Sequence, residues 1–275
     1  MGLSKNIIKT KLKFWISSKE VNEWFSSREV FFIIGMGRSG TKFLSELLGT
    51  DKTALVFHEP ITEDFEATVA AHKSNSNAEE YIKIYRKRRM YLLARDHLRS
   101  SPYKIIRIYG EVNSTLRFHT GALQKFFPNA KILHLVRDGR EVVRSIMARK
   151  HYTKTGVGHH SLAPREDDLF FCEWDRLTRF EKVCWLWADA NKRLRENVRR
   201  YVQFEKLISD YSYFHENIES YIDMDIGEEQ WSKAVKKPQN VTKAHVFPHW
   251  TEWDTSVMKS FNNICGGQMV ELGYF

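Results

Sequence analysis

The sequence predicts an α/β fold in which a doubly wound parallel sheet of about five strands is flanked by helices. Short, fully apolar runs alternate with longer segments whose apolar residues recur at helical spacing. The first apolar run leads through a glycine-rich turn into a helical segment. Ligands of such sheets bind at the carboxyl ends of the strands, so the residues that follow each strand are candidates for a functional site.

The first two strands are predicted close to the start of the sheet. Consecutive apolar residues over 30–34 are typical of a central strand that is covered on both faces. The apolar spacing after the glycine-rich turn predicts a helix over 41–48. The run TALVF predicts a second strand over 53–57, which Pro60 ends because proline cannot donate a hydrogen bond to a neighbouring strand.

The remaining elements continue the alternation of strands and helices. In order, they are a charged and mostly helical region over 61–100, a strand over 103–108, a helix over 116–127, a strand over 130–136, a helix over 140–149, an inserted loop over 151–175, a helix over 179–200, a strand over 201–205 and a tail of shorter helices. We expect one domain, in which residues 1–29 form a helical leader and residues 30–275 form the core.

The charge balance favours anionic partners. Lys and Arg number 43 against 34 Asp and Glu, a net charge of +9, which suits nucleotides, acidic polymers, membrane headgroups or nucleic acid. The three cysteines match neither a disulfide framework nor a zinc spacing. No apolar run approaches the roughly 18 residues of a membrane span, and the N-terminus lacks the apolar core of a signal peptide. We therefore predict a cytoplasmic protein, whose basic and aromatic leader could contact a membrane surface peripherally.

The stretch FFIIGMGRSGTKFL, residues 31–44, predicts an anion site. A strand that enters a helix through a glycine-rich turn leaves successive backbone N–H groups pointing at one place, where the helix dipole adds about half a positive charge. Gly35, Gly37 and Gly40 permit the tight turn, and Arg38 lies within it. The side chains of the residues that follow, Thr41 and Lys42, add further donors.

The order of two residues in this loop disfavours a nucleoside triphosphatase. Such enzymes have the pattern G-x-x-x-x-G-K-[ST], whose hydroxyl holds magnesium. Here Thr41 occupies the lysine position and Lys42 the hydroxyl position, and lysine cannot ligate magnesium. The cation Arg38 suits a ligand whose charge is neutralised by the protein, so no metal is expected. A sulfuryl donor fits, because the transferring group carries less negative charge than a γ-phosphoryl group.

Two motifs resemble those of sulfotransferases that use 3′-phosphoadenosine 5′-phosphosulfate (PAPS). RSGTK, residues 38–42, resembles the loop that binds the 5′-phosphosulfate. FPNAKILHLVRDGREVVRSIMARK, residues 127–150, resembles the signature that holds the 3′-phosphate, with Arg137 and Ser145 in its two binding positions. The R-D-G-R and F-P-N-x-K wording is most similar to the tyrosylprotein sulfotransferases.

The resemblance implies a P-loop-type fold, PAPS as co-substrate and 3′-phosphoadenosine 5′-phosphate (PAP) as product. A residue at a strand end and another about two turns into the next helix can both flank a phosphate, which agrees with the spacing of the second motif. The implied binding residues are Gly37, Arg38, Ser39, Gly40, Thr41, Lys42, Phe43, Arg137 and Ser145.

Two neighbouring residues are candidates for the base that accepts the acceptor's proton. Glu59 lies 21 positions after the loop arginine, as does the catalytic glutamate in the tyrosylprotein sulfotransferase pattern. His58 competes with it, because many other sulfotransferases use histidine. Neighbours on a strand point to opposite faces, so we expect only one of the two to face the site.

The resemblance fails after the third strand. The tyrosylprotein enzymes have a lysine in a K-D-P segment where this chain reads YGEVNSTLR, residues 109–117. Its polar residues are expected to line the site: Glu111, Asn113, Ser114 and Arg117. Arg38 and Lys42 are then expected to stabilise the leaving group. The loop over 236–253 falls where sulfotransferases close a lid over the nucleotide, and Lys243 is the candidate there.

The resulting prediction is transfer of a sulfuryl group from PAPS to a hydroxyl acceptor by in-line displacement. The acceptor is a carbohydrate, metabolite or protein. The basic charge favours a glycan or an acidic substrate, although the phosphates of the cofactor could account for that charge as well. Regions 61–100 and 151–175 are expected to shape its pocket. The alternatives are a P-loop kinase of a small metabolite and a basic nucleic-acid-binding protein. The chain lacks the Lys-Ser/Thr pair of the first and any reader motif of the second, so no nucleic-acid partner is expected.

Overall fold

The central sheet has five parallel strands in the order β2-β3-β1-β4-β5. The structure is a computed structural model that describes residues 17–61, 65–96, 106–153, 162–237 and 247–275, with the backbone alone for 94–96. The strands are β1 Glu29–Gly35, β2 Ala54–His58, β3 Ile108–Val112, β4 Lys131–Val136 and β5 Tyr201–Gln203. The predicted α/β class with a parallel sheet is confirmed.

Helices cover both faces of this sheet. They are α1 Ser18–Ser26, α2 Thr41–Leu48, α3 Phe65–Lys73, α4 Asn75–Asp96, α5 Thr120–Phe126, α6 Gly139–Met147, α7 Arg179–Asn197, α8 Phe204–Ser209, α9 Tyr211–Phe214, α10 Ser220–Ile222, α11 Glu228–Val235 and α12 Thr255–Glu271. None of the helices in the described ranges has the combined length and apolarity needed to cross a bilayer.

Strand β1 is buried on both faces because it lies between β3 and β4. Phe32 and Ile34 pack into one apolar cluster, whereas Phe31 and Ile33 pack into another on the opposite face. This alternation explains why the whole run is apolar. Gly110 of β3 pairs with Phe31, and a Cβ atom there would lie 2.0 Å from the phenyl ring. Glycine is therefore required where the two strands meet.

The third strand begins later than predicted. The apolar run over 103–108 suggested it, but the observed strand is Ile108–Val112, and residues 101–105 lie outside the described part of the chain. Its sequence IYGEV contains the charged residue Glu111, so it lacks the continuous apolar run by which the other strands were predicted. Glu111 is tolerated because Tyr85 and Arg89 of α4 bind its carboxylate.

Smaller differences concern where elements begin and end. Strand β5 ends at Gln203, because Phe204 begins α8. Helix α5 begins only at Thr120, after turns over 114–117. The tail contains a helix of 17 residues, α12, rather than short helices alone. The predicted insertion is irregular where it is described, with one 3-10 turn at Trp174–Arg176.

Candidate active site

A cavity of about 470 Å³ lies at the edge of the sheet where the carboxyl ends of the strands meet. Its wall includes residues that lie one or two positions after the ends of β1, β2, β3, β4 and β5, as expected for a parallel sheet. The lining residues are Met36, Gly37, Arg38, Gly40, Thr41, Lys42, Phe43, His58, Glu59, Ser114, Arg117, Arg137, Ile146, His151, Leu186, Phe204, Ile208, Val235 and Lys237.

The glycine-rich loop between β1 and α2 forms one wall. Gly40 precedes the helix with φ 92°, and a Cβ atom there would lie 2.2 Å from the ring of Phe204. Only glycine both adopts this positive φ without strain and leaves room for the Phe204 ring. Because Gly40 has no side chain, none caps the first N–H groups of α2, which leaves them available to an anion. Within the loop, Ser39 is buried, and its backbone N–H donates to the Met36 carbonyl.

The two halves of the predicted nucleotide site converge on Arg38. The Arg38 guanidinium donates to the hydroxyl of Ser145 over 2.9 Å, and Arg137 donates to the Arg38 carbonyl over 3.1 Å. Arg137 also lies over the ring of Phe204, 5.4 Å from its centre. Burial, followed by the charges of Arg149 and Arg137, lowers the pKa of Arg38. Several cations share a small volume here, an arrangement that a bound anion would stabilise.

Glu59 and His58 both line the cavity, so the expectation that only one faces it is wrong. Glu59 follows the last residue of β2 and has φ 43°, in the left-handed region. That turn interrupts the alternation of a strand and brings the carboxylate back toward the cavity. Arg38 is the second non-glycine residue of this site with a positive φ, which is 78°. Such conformations are costly and concentrate at functional sites.

The two candidates have different hydrogen-bond partners. The hydroxyl of Ser114, which follows β3, donates to the Glu59 carboxylate. The Nε2 atom of His58 lies 3.1 Å from the Thr41 hydroxyl and 3.9 Å from the Glu59 carboxylate. Ser114 thus orients Glu59, whereas His58 is engaged by the loop.

Arg117 is a buried cation beside these two candidates. It is 6% exposed, and its guanidinium donates to the Ser114 carbonyl over 2.7 Å. Burial lowers the pKa of Arg117 to about 10, although the charge of Glu59 opposes the change. The side chain remains charged at neutral pH and attracts negative charge to this wall.

Glu111 and Asn113 do not line the cavity, contrary to the prediction. Glu111 is fully buried within the sheet, where Tyr85, Tyr109 and Arg89 donate to its carboxylate. The Asn113 amide oxygen accepts hydrogen bonds from the backbone and hydroxyl of Thr115, at 2.9 and 2.7 Å. Asn113 therefore shapes the turn that carries Ser114, which does line the cavity together with Arg117.

The remaining predicted residues have separate positions. Lys42 lines the cavity and lies 3.7 Å from Glu46, whereas Lys243 falls outside the described residues. Phe43 lines the cavity and packs edge-on against the Phe204 ring.

Sequence reasoning did not assign several lining residues. They are Met36, Ile146, His151, Leu186, Phe204, Ile208, Val235 and Lys237. Phe204 could have been found from its place directly after a strand, but the fifth strand was predicted to run past it. No group of three or more His, Cys, Asp or Glu residues in the described ranges could hold a metal ion.

A sequence profile described as the sulfotransferase family matches residues 31–228, which is more than half of the chain. The chain belongs to the sulfotransferase family. The match includes the glycine-rich loop, both candidate bases, Arg137 and Ser145. Neither a small-metabolite kinase nor a nucleic-acid-binding protein is favoured by it. The closer likeness to tyrosylprotein sulfotransferases is not confirmed. A search of curated proteins finds no significant match.

Three solved sulfotransferases align with most of this chain, and one of them reaches a TM-score above 0.5. A Mycobacterium avium sulfotransferase aligns with a TM-score of 0.51 at 13% identity, over 91% of this chain and 81% of its own. An Alicyclobacillus acidocaldarius sulfotransferase aligns with a TM-score of 0.48 at 15% identity, over 89% and 94% of the two chains. A mouse sulfotransferase complexed with PAP aligns with a TM-score of 0.47 at 12% identity, over 92% and 89%.

Proposed function

We propose that this sulfotransferase transfers the sulfuryl group of PAPS to an acceptor hydroxyl and releases PAP. The observation that carries the proposal is the convergence of the glycine-rich loop, Arg137 and Ser145 around Arg38. It brings the backbone of a phosphate-binding turn and the charges of a second anion site into one cavity. The volume of about 470 Å³ lies within the range of about 300–1,000 Å³ that is usual for small-molecule sites.

The donor set fits a nucleotide with phosphate groups at two positions. The loop over 37–43 offers backbone N–H groups and the side chains of Arg38 and Lys42 to a 5′-phosphosulfate. Arg137 offers a planar fork to a 3′-phosphate, and Ser145 offers a hydroxyl beside it. The Phe204 ring beneath Arg137 supplies apolar surface to the same region. We also propose that residues 1–275 form a single domain, whose core spans residues 30–275.

Glu59 is the proposed base. Its carboxylate accepts from Ser114, which fixes its direction, and its side chain is 31% exposed at the cavity wall. Glu59 takes the proton of the acceptor hydroxyl while that oxygen forms a bond to sulfur and the bond from sulfur to the 5′-phosphate oxygen breaks. His58 lies close enough to assist, but its ring already contacts Thr41. We therefore assign His58 to positioning the loop.

Arg38 and Lys42 stabilise the negative charge that develops on the leaving 5′-phosphate. Both line the cavity next to the first turn of α2, and Arg38 is fixed by its bond to Ser145. Donors held in position before the reaction lower its barrier without reorganising during it. The position that holds magnesium in nucleoside triphosphatases is Lys42 here, so these two cations take over charge neutralisation.

Calorimetry with PAP and with ATP plus magnesium tests the donor. We expect PAP to bind without metal and more tightly than ATP with magnesium. The rate of labelled sulfate transfer from PAPS is then measured on a panel of glycans, phenols and tyrosine peptides, with and without EDTA. An EDTA-resistant rate supports the proposal. Tighter binding of ATP with magnesium and no sulfate transfer would instead indicate a kinase. A sulfate-transfer rate that EDTA abolishes and magnesium restores would contradict the proposed neutralisation of charge by Arg38 and Lys42 without a metal.

A further inference from the structure

We infer that the acceptor carries an anionic group, which Arg117 and Arg165 bind in a second cavity beside the first; this inference rests on the proposed function. The second cavity has a volume of about 440 Å³. It lies among α3, α4, α7, the segment after β3 and the insertion that contains Arg165. Because Arg117 lines both cavities, it forms a wall that they share.

Arg117 has unused capacity to bind an anion. Its guanidinium donates to one carbonyl, that of Ser114, and its buried Nε atom has no hydrogen-bond partner within the described part of the chain. A buried cation without a neutralising partner is costly, and an anion next to it removes much of the cost. A carboxylate or sulfate is the group that a guanidinium fork binds best.

Arg165 supplies a second cation with the same property. Its side chain lines the second cavity, and its Nε atom is buried and without a hydrogen-bond partner among the residues described. Neither Arg165 nor Arg117 forms an ion pair within those ranges. Two arginines from distant parts of the chain, both with unpaired N–H groups, therefore face one cavity.

The carboxylates near this cavity are already engaged or exposed. Glu79 binds Lys125 over 2.7 Å. Asp189 binds both His72 and Arg193, over 3.1 and 2.6 Å. The charges within these pairs offset one another. Arg117 and Arg165 form no ion pair within the described ranges, although Glu59 lies near enough to Arg117 for its charge to act on it. Glu196 also lines the cavity, but it is exposed, so water screens its charge.

The shared wall connects the two cavities chemically. Ser114 donates to Glu59 on one side and accepts from Arg117 on the other. An acceptor held by Arg117 and Arg165 through its anionic group would present a hydroxyl toward Glu59. This arrangement identifies the acceptor class as a hydroxyl compound that also carries a carboxylate.

Nuclear magnetic resonance of the arginine Nε–Hε groups tests the inference on the full chain. Inorganic sulfate is titrated into the protein saturated with PAP, so that the nucleotide occupies the first site. We expect the Arg165 and Arg117 signals to shift together with one apparent Kd. Arg165→Gln should weaken that Kd about tenfold, since it removes one charge-assisted contact. The matched control is Arg176→Gln, which replaces an exposed arginine directly after the insertion that lines neither cavity and should leave the Kd unchanged.

A second titration connects the anion to the acceptor. Methyl glucuronide and methyl glucoside differ by a carboxylate, and we expect only the first to shift the Arg165 signal and to lose affinity in Arg165→Gln. If sulfate binds but methyl glucuronide does not, the cavity holds an adventitious ion only, and the acceptor assignment is overturned. An unmoved Arg165 signal, or equal losses in Arg165→Gln and Arg176→Gln, would overturn the site itself. Failure of PAP to bind would count against the proposed function instead, because Arg165 reports on the second cavity with or without PAP.

Discussion

Two buried arginines near β3 have opposite surroundings. Arg89 is 3% exposed and lies 3.1 Å from the carboxylate of Glu111, which is fully buried with it. Arg117 is 6% exposed, and its hydrogen bond goes to a neutral carbonyl, with Glu59 on the far side of Ser114. The partners of Arg89 raise its pKa, whereas burial lowers the pKa of Arg117 to about 10.

The difference separates a closed ion pair from an open pair, by which we mean two opposite charges that lie near each other without forming an ion pair. Glu111 and Arg89 neutralise each other inside the protein, where two tyrosines complete their hydrogen bonds. Glu59 and Arg117 form neither a hydrogen bond nor an ion pair with each other, and both line a cavity. A closed pair contributes to stability and has nothing left to offer a ligand, whereas an open pair keeps its capacity for substrates. In the sequence, Glu59 and Glu111 each come shortly after a predicted strand, so only their surroundings in the structure distinguish their roles.

The largest expected effect comes from Glu59→Gln. The amide keeps the shape and the bond from Ser114 but cannot accept a proton. Turnover should fall on the order of 10²–10⁴-fold, while PAP affinity and the free energy of unfolding stay close to the parent's values. Steady-state kinetics and calorimetry measure these quantities. A nearly active Glu59→Gln together with an inactive but PAP-binding His58→Ala would transfer the role of base to His58.

Glu111→Gln is the matched change in the closed pair. It removes the negative charge beside buried Arg89, so the free energy of unfolding should fall by about 3–5 kcal/mol. Urea denaturation followed by circular dichroism measures the loss. Turnover per folded molecule should change little, because Glu111 does not line the cavity. Unchanged stability with lost turnover would contradict the division into closed and open pairs.

Arg137→Ala tests the nucleotide side of the open cavity. We expect PAP affinity to fall by about 2–4 kcal/mol, as for the loss of a charge-assisted contact in a partly buried site. Adenosine 5′-phosphosulfate lacks the 3′-phosphate and should lose much less. The control is Arg140→Ala, since Arg140 pairs with Asp138 and does not line the cavity. Equal losses for both ligands would show that Arg137 acts through the loop and not through the 3′-phosphate.

The smallest effect is expected from Ser145→Ala. The change removes one hydroxyl that accepts from Arg38, and PAP affinity should fall by about 1 kcal/mol. Calorimetry on the double variant with Arg137→Ala sharpens the result. Because Ser145 and Arg137 both contact Arg38, the two losses should not add. Additive losses would mean that the two residues act independently.

The nucleotide side of the site could be predicted because its signals are local. The glycine-rich loop lies directly after an apolar strand, and Arg137 and Ser145 are separated by a fixed spacing within one motif. The sheet could be predicted for the same reason, except at β3. There the strand contains Glu111, and only the tertiary contact with Arg89 makes that charge acceptable.

The acceptor side could be predicted only in part: Glu59, Ser114 and Arg117 line the cavity as expected, but the backbone of Glu59 and the second cavity were not predicted. The left-handed backbone of Glu59 has no signature in the sequence, because the residue is not glycine. The second cavity is assembled from segments near residues 72, 117, 165 and 193, whose proximity depends on the packing of helices. The insertion over 151–175 was predicted to shape the acceptor pocket. That prediction remains a proposal, in which Arg165 is now the residue of the insertion that contacts the acceptor.

The strand order has a consequence for how the protein is synthesised. β1 emerges first, yet its two neighbours in the sheet, β3 and β4, follow it much later in the chain. The first cavity draws on residues from Met36 to Lys237, one group from each strand end, so no shorter nascent fragment contains it. A ligand at 100 times its Kd stabilises a folded protein by about 2.7 kcal/mol. A nascent chain on the ribosome gains none of this until Lys237 has emerged, so its early strands depend on strand pairing and apolar packing without help from the ligand.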